Sequence, residues 1–240
     1  MAGHSKWSKI KRQKGSADAA RSKVFTKIGR EIAVAVKSGG ADPNSNARLM
    51  QVIAKAKTNN MPSDNIARGI KKASGELGSI NYEEVLYEGY GPNGVAFVVE
   101  GLTDNKNRTA AEVRAIFSKN GGSLGAMGCA SISFERKSVF LLDKAGLDED
   151  SMMEIVLECG GEDLIEHEDG YEILAGASDF NRVLDGLTGK GVVFIKSAIE
   201  RVPINFVDIT DEDTVKKLHK MLDAFDDNDD IQAAFFNARI

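Results

Sequence analysis

Near residue 80 this chain changes both the spacing of its apolar residues and the sign of its charge. Up to Gly75, apolar side chains recur every three or four positions, the period of a helix with one buried face. From Tyr82 onward they come in short runs separated by glycine-containing turns, the pattern of strands. Across the same point, sixteen Lys or Arg against four acids (Asp18, Glu31, Asp42, Asp64) in residues 1–75, net +12, give way to 15 bases against 32 acids in residues 76–240, net −17. The overall charge of −5 conceals this division. It implies a part that binds polyanions joined to a part that avoids them. Nucleic acid is the polyanion expected, with an acidic protein surface or an anionic membrane as alternatives.

The chain has 240 residues, which at about 150 residues per domain means two domains or three small ones. Apolar residues at 42% and charged residues at 28% are ordinary for a globular chain. No apolar run reaches the roughly 18 residues of a membrane-spanning helix. The opening Met1-Ala2-Gly3-His4-Ser5-Lys6-Trp7 lacks the apolar core of a signal peptide, so a cytoplasmic location is expected. Cys129 and Cys159 have no CxxC partner and read as reduced, partly buried thiols, a disulfide or a nucleophile being the alternatives.

Residues 4–14 set Lys6, Lys9, Lys11, Arg12 and Lys14 around Trp7 and Ile10 with no acid among them. Such an arm neutralises phosphates, and Trp7 either stacks on a base or docks on the core of its own domain. The spacing of Val24, Phe25, Ile28, Ile32 and Val36 predicts a helix over 18–37, with Lys23, Lys27 and Arg30 on a neighbouring face. A second helix is expected over 44–57, burying Leu49, Val52, Ile53 and Ala56 while Arg48 and Lys55 share another face. After the break at Asn59-Asn60-Met61-Pro62, Ser63 or Asp64 is expected to cap a third helix over 64–74. There Ile66, Ile70 and Ala73 turn inward, and Arg68, Lys71 and Lys72 line an outer face. Beyond Asn65 and Arg68 the third helix offers few side chains that could read bases, so binding through the nucleic-acid backbone is expected.

In the acidic part, Val85–Tyr87 and Val95–Val99 flank Gly89-Tyr90-Gly91-Pro92-Asn93-Gly94, a hairpin signal. Thr103 or Asp104 is expected to open a helix carrying Val113 and Phe117, followed by strands at 131–134 and 139–142. From the latter strand the order is βαββαβ: a helix at 149–158 bearing Met153 and Val156, a hairpin of 164–166 and 171–174, a helix at 178–188, and a closing strand at 192–199. That is the order of a ferredoxin-like unit. A strand at 204–207, a helix at 213–224 and a strand at 231–236 complete the segment around it.

Catalytic signatures are missing: no GxxxxGK[ST], HExxH, GxSxG or dinucleotide fingerprint occurs. His4, His167 and His219 are scattered, and no zinc site is expected. Residues 121–128 are glycine-rich but lead into a strand rather than opening a helix, so they read as a flexible connector, or less readily as a contact loop. Asp226-Asp227-Asn228-Asp229-Asp230 departs from a calcium loop at Ile231 and Asn237, where Gly and Glu are needed, and reads as a solvated turn.

The chain resembles the YebC/PmpR family, whose mitochondrial relatives include the translational activator of cytochrome c oxidase. The resemblance runs along essentially the whole chain. It is most specific at Met1–Trp7, at Gly39-Gly-Ala-Asp-Pro-Asn-Ser-Asn46, at Asn60-Met-Pro-Ser-Asp-Asn-Ile66, at Tyr87-Glu-Gly-Tyr-Gly-Pro-Asn-Gly94 and at Asp104-Asn-Lys-Asn-Arg-Thr109. It implies three domains around a central cavity and a role in gene expression. Bacterial members look like DNA-binding transcriptional regulators; others look like ribosome-associated factors that help translation through stretches such as consecutive prolines.

The reading is therefore an α+β protein of three parts. Residues 1–78 form a basic helical nucleic-acid-binding domain, 79–137 with 202–240 a discontinuous α+β domain, and 138–201 an inserted ferredoxin-like two-layer domain. The expected function is non-enzymatic regulation of gene expression as a DNA-binding transcriptional regulator. The alternatives are a ribosome-associated translation factor that binds rRNA or tRNA and relieves stalling, and an adaptor for an acidic protein. Nucleic acid is held by Lys6, Trp7, Lys9, Lys11, Arg12, Lys14, Lys23, Lys27, Arg30, Arg48, Lys55, Asn59, Asn60, Met61, Arg68, Lys71 and Lys72. No catalytic residue, metal, cofactor, membrane or small-molecule substrate is expected, and the chain is expected to be a monomer or a weak oligomer.

Overall fold

The computed structural model of the protein describes residues 18–75, 81–144 and 148–240. The chain opens with helices α1 (Asp18–Gly39), α2 (Ala47–Thr58) and α3 (Ser63–Ala73). Strands β1 (Glu83–Tyr90) and β2 (Ala96–Thr103), helix α4 (Lys106–Lys119) and strands β3 (Ser123–Leu124) and β4 (Phe134–Asp143) follow. Next come α5 (Glu149–Glu158), β5 (Asp163–Glu166), β6 (Gly170–Gly176), α6 (Phe180–Gly189) and β7 (Lys196–Pro203). The chain closes with β8 (Val207–Asp208), α7 (Glu212–Asp227), β9 (Ile231–Phe236) and β10 (Ala238–Arg239).

The described residues pack as two compact units. One takes residues up to Val34, 81–135 and 202–240; the other takes 35–75, 136–144 and 148–201. The three basic helices are thus shared out by packing, α1 through Val34 in the first unit and α2 and α3 in the second.

The first unit is built on an antiparallel sheet of order β3-β1-β2-β9. Alternation along β2 sends Phe97 and Val99 to the same face as the preceding Val95, where Val113 and Phe117 of α4 and Leu218, Met221 and Phe225 of α7 cover them. Rings interlock there: Phe97 meets Phe117 edge-on at 5.9 Å, and Phe117 meets Phe225 at 5.6 Å. Ala96 and Val98 face the other way and pack on Ala130 and Phe134. Gly89 is required by the narrow β1–β3 approach, since a Cβ would collide with the Ser123 carbonyl. The β1–β2 turn needs left-handed backbone at Asn93 (φ 57°) and Gly94 (φ 74°), which these two residues tolerate.

The second unit carries the βαββαβ order with sheet order β5-β6-β4-β7, as the sequence pattern requires. Phe140, Leu142, Tyr171 and Ile173 from the sheet pack against Met152 and Val156 of α5 and Phe180, Val183 and Leu187 of α6. Ala54 of α2 packs against this same core.

Several expected boundaries move, each for a local reason. Residues 131–133 form a single 3-10 turn rather than a strand, because the Glu88 carboxylate takes the backbone N–H groups of Ala130 and Ser131. One strand, β4, then runs from 134 to 143 in place of the two expected. The closing strand begins at Lys196 rather than 192, because α6 ends in a Schellman turn. Gly191 is left-handed (φ 83°), and the N–H groups of Gly191 and Val192 reach back to Thr188 and Leu187. The strand expected at 204–207 shrinks to Val207–Asp208. Met152 rather than Met153 is the buried methionine of α5. The true N-caps of α2 and α4 are Asn46 and Asn105, whose side chains accept from Leu49 and Arg108 N–H.

Candidate nucleic-acid interface

Helix α2 has an asparagine at each end, and a short turn joins it to α3 to make a helical hairpin. Asn46 donates through Nδ2 to the carbonyls of Ala35 and Gly40, both at 2.8 Å, while its Oδ1 caps α2. This ties the end of α1 to the start of α2, and Gly39 must be glycine because a Cβ would lie 2.7 Å from Asn46 Cγ. At the other end the Asn59 side chain donates to the Lys55 carbonyl at 2.8 Å, and Asn60 turns left-handed at φ 56°. Met61 N–H bonds to the Ala56 carbonyl at 2.9 Å and its side chain is half-buried, whereas Asn59, Asn60 and Pro62 are exposed. The α3 N-cap position is Pro62, with no side-chain cap from Ser63 or Asp64. Asp64 stands in the first turn instead, where a carboxylate complements the helix dipole.

On this hairpin Arg48, Lys71 and Lys72 are exposed and Lys55 is half-buried. Lys57, a base that the spacing argument passed over, is exposed in the last turn of α2. Arg68 is exposed, and its guanidinium bonds to the Asn65 side-chain oxygen. The two side chains best able to read bases on α3 therefore engage each other.

Lys23, Lys27 and Arg30 belong to the other unit and already face acceptors of this chain. Lys23 Nζ pairs with Asp227 at 2.8 Å, and Lys27 Nζ donates to the Asp226 carbonyl at 2.9 Å. Arg30 bonds to Asp230 and to the Leu102 carbonyl, and lies over the Tyr82 ring at 5.1 Å. Asp230 also accepts from Arg108 at 2.6 Å, Thr109 at 2.7 Å and Thr103 at 3.0 Å. The turn expected to be solvated thus ends in a buried carboxylate. Burial pushes the Asp230 carboxyl up, but hydrogen bonds from Thr109, Arg108, Arg30 and Thr103 outweigh it and hold it well below the usual carboxylate range. Lys6, Trp7, Lys9, Lys11, Arg12 and Lys14 lie outside the described residues.

The glycine-rich segment is pinned by an internal carboxylate rather than acting as a flexible connector. Glu88 accepts from the N–H groups of Gly128, Ala130 and Ser131 at 2.8–2.9 Å and from the Ser131 hydroxyl at 2.6 Å. The donors that could cradle a phosphate are filled from within. Burial raises this carboxyl's pKa, but the four hydrogen bonds outweigh it and lower the pKa. Both cysteines are free thiols, Cys159 buried and Cys129 half-buried. Among the described residues no three His, Cys, Asp or Glu side chains gather as a metal site, and no helix is long and apolar enough to cross a membrane.

Residues 5–76 match the TACO1/YebC protein N-terminal domain, and residues 82–238 match the TACO1/YebC second and third domain. The chain belongs to the TACO1/YebC family. A relative from Clostridium beijerinckii, named a probable transcriptional regulatory protein, is 48% identical over 99% of this chain and 97% of its own length. One from Syntrophus aciditrophicus, with the same name, is 50% identical over 99% of this chain and 95% of its own length. The crystal structure of a conserved hypothetical protein from Aquifex aeolicus superposes with a TM-score of 0.85 at 43% identity, covering 93% of this chain and 92% of that one.

Four of the segments that carry the TACO1/YebC resemblance are those just described. Asn46 closes the first, the Asn59–Met61 turn opens the second, Glu88 sits within the third, and Asp104–Thr109 supplies two of the four groups on Asp230. Asp230, Glu88 and Asn46 were not singled out by sequence reasoning. A usable signal existed for Glu88 alone: it is the one acid between Val85 and Val99, inside the expected hairpin, and calls for donors nearby.

Proposed function

We propose that this TACO1/YebC protein is a DNA-binding transcriptional regulatory protein that catalyses no reaction and works in the cytoplasm as a monomer or weak oligomer. Residues 1–78 serve as its binding domain, and the acidic remainder, 79–137 with 202–240 and the inserted 138–201, repels phosphates. The observation that supports this best is the α2–α3 hairpin. It presents Arg48, Lys57, Arg68, Lys71 and Lys72 exposed on a frame fixed by Asn46 and Asn59. The names of the curated relatives point the same way. The bases of the arm, Lys6, Lys9, Lys11, Arg12 and Lys14, add positive charge for neutralising phosphates, and Trp7 adds an aromatic ring for stacking on a base.

A second reading rests on the Arg68–Asn65 bond, which leaves α3 poorly equipped for groove readout. A surface that grips phosphates without reading bases suits structured RNA as well as DNA. As a ribosome-associated translation factor, the protein would hold rRNA or tRNA with these same residues, and the Asn59–Met61 turn would meet a functional RNA centre. Footprinting on one promoter at near-physiological salt supports the first reading; cosedimentation with ribosomes that survives moderate salt supports the second. Replacing Lys9, Lys11 and Arg12 with Glu abolishes either interaction, and unchanged binding removes the arm from the interface.

A further inference from the structure

The cationic stripe of α1 looks like a phosphate grip in sequence, yet in the fold it faces the last residues of α7 and the turn that follows them. That segment has Asp at four of five positions, 226, 227, 229 and 230. It is anchored rather than loose: Asn228 donates to Glu112 at 2.7 Å and accepts the Asp230 N–H at 2.9 Å. We propose that this acidic segment is an autoinhibitory contact, the Asp227 carboxylate occupying Lys23 as a phosphate would while the Asp226 main-chain carbonyl holds Lys27, so that a polyanion must displace it to reach α1. The inference rests on the nucleic-acid reading above and adds a regulation to it.

The contact has two layers with different fates. The inner one joins Arg30 and Asp230, whose side chains are 14% and 4% exposed. It is tied into the Thr103, Arg108 and Thr109 bonds and belongs to the fold. The outer one is the ion pair of Lys23 and Asp227, whose side chains are 45% and 76% exposed; beside it the half-buried Lys27 donates to the Asp226 main-chain carbonyl. Asp229, exposed beside them, adds its field to that of Asp227 on Lys23. Exposed ion pairs of this kind add little net stability and are screened by salt. A nucleic acid that presents many phosphates at once gains from counterion release what the turn cannot offer. The outer layer is therefore exchangeable, and the inner one keeps α1 in place while the exchange occurs. The turn sets a threshold: weakly charged or isolated anions do not displace it, and a dense polyanion does.

The test compares two full-length variants with the same change in net charge. Asp226→Asn/Asp227→Asn/Asp229→Asn removes the turn's outer charges and keeps Asp230 and Asn228, the anchors of the fold. Glu149→Gln/Asp150→Asn/Glu154→Gln removes three exposed charges on α5. Affinity for a short random-sequence DNA duplex is measured across a salt series. The turn variant should bind several-fold tighter than the α5 variant. Its slope of log affinity against log salt should be steeper by up to about 1, because Lys23 loses its Asp227 partner while Lys27 keeps the Asp226 main-chain carbonyl. Adding Lys23→Gln and Lys27→Gln to the turn variant should cancel the gain. Equal affinities for the two variants overturn the proposal, as does a gain that persists without the two lysines. Failure of every form, wild type included, to bind at low salt overturns the nucleic-acid reading itself and the competition with it.

Discussion

At Asp230 a carboxylate nearly sealed from water accepts from two guanidinium groups and two hydroxyls. Asp230→Ala leaves Arg30 and Arg108 without their shared acceptor. Breaking a buried pair costs about 3–5 kcal/mol; the loss here should lie at the low end, because the Arg108 side chain is 43% exposed. Urea unfolding reads it directly. The pH dependence has a fixed sign. Since the folded carboxyl lies below its ordinary value of 3.8, its contribution is complete above that value and is lost as pH falls toward the folded one. The stability difference between wild type and Asp230→Asn should therefore hold through neutral pH and shrink as acid is added below about pH 4. A difference that stays constant into strong acid contradicts the charge assignment. Glu88 makes a separate prediction. Glu88→Ala strips one acceptor from three backbone donors, and charge-assisted hydrogen bonds are worth about 1.5–3 kcal/mol each when broken singly. The amides of Gly128, Ala130 and Ser131 should exchange with solvent faster than in wild type while those of β2 keep their protection.

At the scale of elements, the joint between α1 and α2 depends on one side chain. Asn46→Ala removes an N-cap and two bonds to the carbonyls of Ala35 and Gly40, and should cost about 2 kcal/mol, the top of the N-cap range. Asn46→Asp keeps the cap but turns an acceptor toward those carbonyls, so it should recover only part of the loss in thermal unfolding. The elements themselves were largely legible. The burial of Ile28, Ile32 and Val36 follows directly from their spacing, and the βαββαβ order of the second unit follows from strand-length apolar runs between helical ones. Their ends were less so, because side chains from elsewhere decide them. Glu88 takes up the donors that a strand at 131–133 would have used, and the turn at Gly191 delays β7. The candidate site divides in the same way. Lys71 and Lys72 face solvent as their helical positions require, whereas the engagement of Lys23, Lys27 and Arg30 depends on partners 199 to 204 positions away. No local pattern carries information of that range.

For the whole molecule the division of charge is the organising fact. A net charge of +12 in residues 1–75 and of −17 in residues 76–240 share one chain, and on the proposed reading the first attracts phosphates while the second repels them. The measurement that tests this most directly is the salt dependence of duplex binding by the full chain, beside a variant carrying Arg68→Glu, Lys71→Glu and Lys72→Glu. With about six phosphates contacted, the wild-type slope of log affinity against log salt should be about −5, and the variant should lose about three of those units along with most of its affinity. A shallow slope, or one that the α3 charge reversals leave unchanged, contradicts the account.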